Sequence, residues 1–172
     1  MKKIASLVIG VLICLAGCNN TEFGIYQGRD LKIGIIGAIP EVREENIDFQ
    51  VITFEELKYN TESLSKELDA IMIMKEFLHE ADDDQYVAAY RSLTIPTFFM
   101  QSTKVHVPFV NEGVQYDDII EVDPANFATG FLDLGTDEKI KEHTWRYTLG
   151  KKQNIQDVYS QIFATIESVS SL

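Results

Sequence analysis

Cysteine and positive charge are both scarce in this 172-residue chain. It has two cysteines, and 15 basic residues stand against 27 acidic ones. Two cysteines cannot build a disulfide framework or a four-cysteine zinc site. A net charge of −12 leaves no basic face to displace counterions, which excludes nucleic acid as a partner. Long apolar runs are absent too. The longest, Ile4 to Leu15, rises about 18 Å as a helix, too short for a hydrocarbon core of roughly 30 Å. What is there is ordinary for a globular protein: 45% hydrophobic and 24% charged residues, which excludes a disordered chain.

The N-terminus has its own grammar. Met1-Lys2-Lys3 is a short cationic head, Ile4 to Leu15 is an apolar stretch, and Ala16-Gly17-Cys18 are small residues at a cut site. Together they form an export signal. Leu15-Ala16-Gly17-Cys18 resembles the lipobox of bacterial lipoproteins. That resemblance implies diacylglycerol on the Cys18 thiol, cleavage before Cys18 and acylation, palmitate included, of the new amino group. The expected organisation is a signal peptide over 1–17, a lipidated tether over 18–30 and one domain over 31–172. Losing Lys2 and Lys3 moves the charge from −12 to −14. The acyl chains hold the protein on the extracytoplasmic face of the cell membrane, while an anionic leaflet repels the acidic domain.

From Leu31 onward, short apolar runs alternate with helical patterns. Lys32 to Gly37, Phe49 to Phe54, Ala70 to Met74 and Thr97 to Met100 suit strands buried on both faces. Helices are expected over Thr61–Leu68 and Asp82–Leu93. Val105–Val110 contains Pro108 and reads as an edge strand or loop. Phe131–Leu134 and Trp145–Leu149 read as short strands of a hairpin. Ile155, Val158, Tyr159, Ile162, Phe163, Ile166 and Val169 form one helical stripe behind Asn154, a cap with Asp157 three residues on. The expected fold class is α/β: a small three-layer sheet, mostly parallel, with a C-terminal amphipathic helix. From Leu31 to Gln101 this rhythm is similar to one lobe of the solute-binding proteins that serve transporters.

The motifs of catalysis and cofactor binding are missing. Gly34-Ile35-Ile36-Gly37 lacks the G-x-G-x-x-G spacing, and the eleven residues Ala38 to Asp48 leave no room for a full crossover helix. No G-x-S-x-G elbow exists. Glu76, His79 and Glu80 share a helix face, and Asp82-Asp83-Asp84 splay by about 100° each, so no metal is expected. Ligands of open parallel sheets sit beyond the carboxyl ends of the strands. Lys75, His79, Ser102 and Lys104 fall there and are the candidate ligand-binding residues, with the two lysines suited to an anion. The expectation is a non-enzymatic domain that binds a small molecule or an envelope protein and needs no cofactor beyond its lipid. The alternatives are a small envelope hydrolase using Ser102 or a His79-centred metal, and an immunity or assembly module anchored by Trp145 and Tyr147.

Overall fold

The computed structural model describes residues 24–121, 123–135, 141–151 and 153–170. The signal segment, the lipobox and Cys18 lie outside the described residues. Six strands form one sheet: β1 (Leu31–Ile36), β2 (Ile47–Val51), β3 (Ala70–Ile73), β4 (Thr97–Met100), β5 (Asn126–Asp133) and β6 (Glu142–Thr148). Their spatial order is β2-β1-β3-β4-β5-β6. The pairs β1–β2, β1–β3 and β3–β4 are parallel. β4–β5 and β5–β6 are antiparallel.

The sheet is therefore mixed, which corrects the expectation of a mostly parallel one. The physical reason lies in burial. β5 is buried along nearly its whole length although Asn126, Thr129, Gly130 and Asp133 interrupt its apolar residues, and it pairs antiparallel with β4. Apolar pattern reports burial on two faces and says nothing of direction.

Helices cover both faces, giving three layers. One face carries α1 (Phe54–Tyr59), α2 (Thr61–Glu67), α3 (Leu78–Ala81), α4 (Val87–Ser92) and α5 (Val107–Val110). Leu57, Leu64, Leu78, Tyr90 and Phe109 pack there against Ile71, Ile73 and Phe99 of the sheet. The other face carries α6 (Ile155–Val169), whose Val158, Tyr159, Ile162, Phe163 and Ile166 meet Ile33, Ile35, Met72 and Phe98. No helix joins β1 to β2. α6 fills that face instead, with Val42 of the connection packed against the same cluster.

Three local structures differ from expectation. Thr53 and Glu56 form a capping box that opens α1, so the chain turns helical at Phe54, where the strand was expected to end. Val105–Val110 gives no strand; Pro108 stands in the first turn of α5, a position that needs no backbone N–H. The helix expected over Asp82–Leu93 is a 3-10 turn, Asp84–Tyr86, followed by α4. The Asn154 and Asp157 capping box at the start of α6 is present as read.

Of the segment assigned to the tether, residues 24–30 are described, and they lie against the domain. Tyr26 is only 6% exposed and packs edge-on to Phe163 at 6.1 Å. The Arg29 N–H donates to Glu167 at 3.0 Å, and its guanidinium meets Asp69 at 2.6 Å.

Gly130, in β5, sits under two rings. A Cβ there would lie 2.8 Å from Phe98 and 3.0 Å from Trp145. Gly130→Ala is expected to force these rings apart and cost about 1–3 kcal/mol. Trp145 is the single tryptophan, so a denaturant melt followed by its emission reads both the stability and the ring shift.

Candidate functional site

The carboxyl ends of β1 to β4 converge on one end of the sheet. β1 leaves through Gly37, at φ +122°, where a side chain would collide with Met74 Cβ at 2.6 Å. β4 leaves through Gln101, at φ +55° and the only non-glycine residue in the left-handed region among the described residues. That conformation is unfavourable for a residue with a Cβ. It turns the chain sharply into Ser102.

Tyr116 organises the residues beyond β4. Its hydroxyl shares a 3.2 Å hydrogen bond with Ser102 Oγ. Its carbonyl accepts from Lys104 Nζ at 2.6 Å, and the same ammonium lies 4.5 Å from its ring centroid. The His79 ring meets it edge-on at 5.3 Å. Three of the four residues expected at a ligand site, His79, Ser102 and Lys104, thus surround one tyrosine. Lys75 is exposed and makes none of these contacts. Tyr116 itself carries no local signal; it is recognisable only once the tertiary fold is known.

The chemistry of this cluster is structural in character. Ser102 is 0% exposed. Its hydroxyl donates to the Lys104 carbonyl at 3.0 Å and accepts the Lys104 N–H at 3.2 Å. Its carbonyl accepts from Asn126 Nδ2 at 2.6 Å. A hydroxyl so engaged is not presented to a substrate. Among the described residues no hydrogen bond joins it to a histidine. Lys104 also faces Asp117 at 3.8 Å, so its charge is already compensated.

The three consecutive aspartates are likewise employed. Asp82 accepts the Tyr116 N–H at 2.6 Å, Asp83 the Gln85 N–H at 3.0 Å and Asp84 the Gly113 N–H at 2.8 Å. Among the described residues no group of three or more His, Cys, Asp or Glu is placed to hold a metal ion, and no helix is long and apolar enough to cross a membrane.

His106 stacks on Phe131 at 5.6 Å. Burial lowers its pKa from the usual 6.5, with Arg91 adding to the fall and Glu142 opposing it. The folded state thus favours the neutral ring. Its contribution is complete above the unfolded value and declines as pH falls from there toward the folded value. His106→Phe keeps a stacked ring and removes the titration. It is expected to flatten the loss of stability between about pH 7 and 5, read by urea melts across that range.

Next to this cluster, an apolar cleft of about 400 Å³ opens between the ends of β1 and β2, the start of α1 and the turn after β3. Ile36, Ile52 and Phe54 line it and are almost fully buried. Val51, 60% exposed, and Phe77 stand on its walls, and Glu80 is the one charged group lining it. Sequence reasoning placed the site at this end of the sheet; of the lining residues it singled out Glu80 alone, as a possible metal ligand beside His79, and proposed none of them for this cleft. The apolar runs that carry the others read as core.

No family model matches the chain, and neither a curated protein nor a solved structure matches it.

Proposed function

We propose that this protein is a lipid-anchored domain on the extracytoplasmic face of a bacterial cell membrane that binds a ligand or a partner protein and catalyses no reaction. The observation that carries the binding role is the open apolar cleft at the carboxyl ends of the parallel strands, the end where such sheets take their ligands. The buried, backbone-bonded state of Ser102 argues against its use as a nucleophile. Anchorage rests on Leu15-Ala16-Gly17-Cys18 behind a charged, then apolar, leader.

The docking of Tyr26 shortens the reach of that anchor. Only the segment from Cys18 to Gly24 spans from lipid to domain, at most about 25 Å when extended. Residues 29 and 30 lead directly into the amino end of β1, with Arg29 held by Glu167 of α6 and by Asp69 just before β3. The cleft lies at the other end of the strands, about 20 Å away for six residues.

The test is acylation in a bacterial host fed an alkyne-bearing palmitate. The wild-type chain is expected to carry the label and to migrate as the shortened form. Cys18→Ser is expected to accumulate as the full-length precursor without label. A variant that is still labelled would overturn the anchor. For the binding role, thermal unfolding of the lipidated protein against a panel of solutes is the readout. A ligand at one hundred times its dissociation constant adds about 2.7 kcal/mol and raises the midpoint by roughly 5–10 °C.

A further inference from the structure

We infer that the cleft between β1, β2 and α1 is a binding site for a small organic ammonium ion with an apolar body. This rests on the ligand-binding role proposed above and names the ligand's class. The first observation is shape: about 400 Å³ lies at the small end of ligand clefts, which run roughly 300–1,000 Å³. It admits a single ring or a short branched chain.

The second is the lining. Phe54 and Phe77 stand edge to face, 6.2 Å apart, and Phe54 is stacked on Tyr86 at 4.6 Å. The aromatic wall is therefore held in place before any ligand arrives. An aromatic face attracts a cation as well as an apolar body.

The third is charge. Glu80 makes no ion pair or side-chain hydrogen bond among the described residues. By contrast, Glu76 accepts the Ala38 N–H at 3.0 Å and Glu56 closes the α1 cap at 2.8 Å. A free carboxylate beside apolar walls favours a cation and disfavours an anion. Glu55, next to Phe54 in the chain, is exposed and adds to the negative potential. A neutral hydroxyl could donate a hydrogen bond to Glu80 but would lack the ion pair, and an anionic ligand would be repelled.

The experiment uses the full lipidated protein in nanodiscs, with empty discs as reference, and three probes of one shape: benzylammonium, benzyl alcohol and benzoate. Ligand-observed NMR gives the dissociation constants. Benzylammonium is expected to saturate, benzyl alcohol to bind about fivefold more weakly for want of the ion pair, and benzoate not to bind. Glu80→Gln is expected to bring benzylammonium to the alcohol's affinity. Phe77→Leu is expected to weaken it by about three- to tenfold through loss of the ring face.

Val51→Lys guards against loss of folding. This exposed position accepts a lysine without disturbing the core, and the new ammonium is expected to abolish binding while the melting midpoint stays unchanged. Equal binding of the alcohol or the benzoate, or full binding by Val51→Lys, overturns the assignment. If benzylammonium fails to bind while another solute raises the melting midpoint, this cleft assignment falls and the ligand-binding role stands. If benzylammonium fails and nothing in the panel raises it, the cleft assignment and the small-molecule role fall together and the partner-protein reading remains.

Discussion

Replacing Phe99 with alanine is expected to lower the stability of the domain by about 3–5 kcal/mol. Phe99 lies in β4, 0% exposed, between β3 and β5 in the sheet. Its ring is stacked on Phe109 at 3.7 Å, nearly parallel at 8°, and meets Tyr90 edge-on at 5.4 Å. Three elements therefore share one contact: β4, α4 and α5. A central strand hydrogen-bonded on both sides cannot move to close the hole that alanine leaves, so the cavity persists and its cost adds to the lost transfer energy. Natural domains hold about 5–15 kcal/mol in total, which makes this a large fraction. Urea denaturation measures it as a fall in midpoint at unchanged slope. Phe99→Leu, which keeps much of the volume, is expected to cost less than half as much. A loss below about 1 kcal/mol would show that α5 collapses into the space, and that this four-residue helix is more adaptable than its stacking suggests.

The same residues show why part of the fold is legible from sequence and part is not. Ile71, Met72, Phe98 and Phe99 belong to strands buried throughout, and unbroken apolar runs announce them. α6 announces itself through a stripe with no gap and through its capping box. α1 does not, although Thr53 and Glu56 spell a capping box in the sequence. It has six residues, under two turns, and the apolar run Phe49 to Phe54 crosses from strand into helix without a mark. Pro108 misleads for a related reason: the same missing N–H that excludes it from a strand interior suits it to the first turn of a helix. The hairpin reading of Phe131–Leu134 and Trp145–Leu149 does give the antiparallel β5–β6 pair, but the antiparallel pairing of β5 with β4 carries no mark in the sequence. The end of the sheet that carries the site follows from topology. Tyr116, which gathers His79, Ser102 and Lys104, is silent, since its contacts are made across the fold. The cleft is silent for the opposite reason: Ile36, Ile52 and Phe54 are core residues whose one open side no pattern encodes.

Replacing Glu44 with alanine is expected to cost about 2–4 kcal/mol and to loosen one particular region. Glu44 lies on the helix-free connection between β1 and β2, and its side chain is wholly buried. One carboxylate oxygen accepts from the Ser160 hydroxyl of α6 and from the Tyr26 N–H at 3.3 Å. Arg43 approaches the same oxygen at 3.8 Å and reaches on to Asp157 at 3.0 Å. One carboxylate thus ties together the connection, α6 and the segment that precedes β1. Alanine leaves the Tyr26 N–H without its acceptor and a cavity beside it. Ser160 keeps a partner in the Gln156 carbonyl at 3.1 Å, and Arg43 keeps Asp157, which is why the cost stays below that of an isolated buried charge. Glu44→Gln retains an acceptor oxygen and is expected to lose about half as much. The discriminating readout is amide hydrogen exchange: Glu44→Ala should raise it in residues 25–29 and the first half of α6 well before β3 responds, because local opening follows the contacts that were lost. If glutamine costs as much as alanine, the negative charge opposite Arg43 is the stabilising feature; if exchange rises evenly, Glu44 acts on the whole fold and does not fasten the segment before β1 to it.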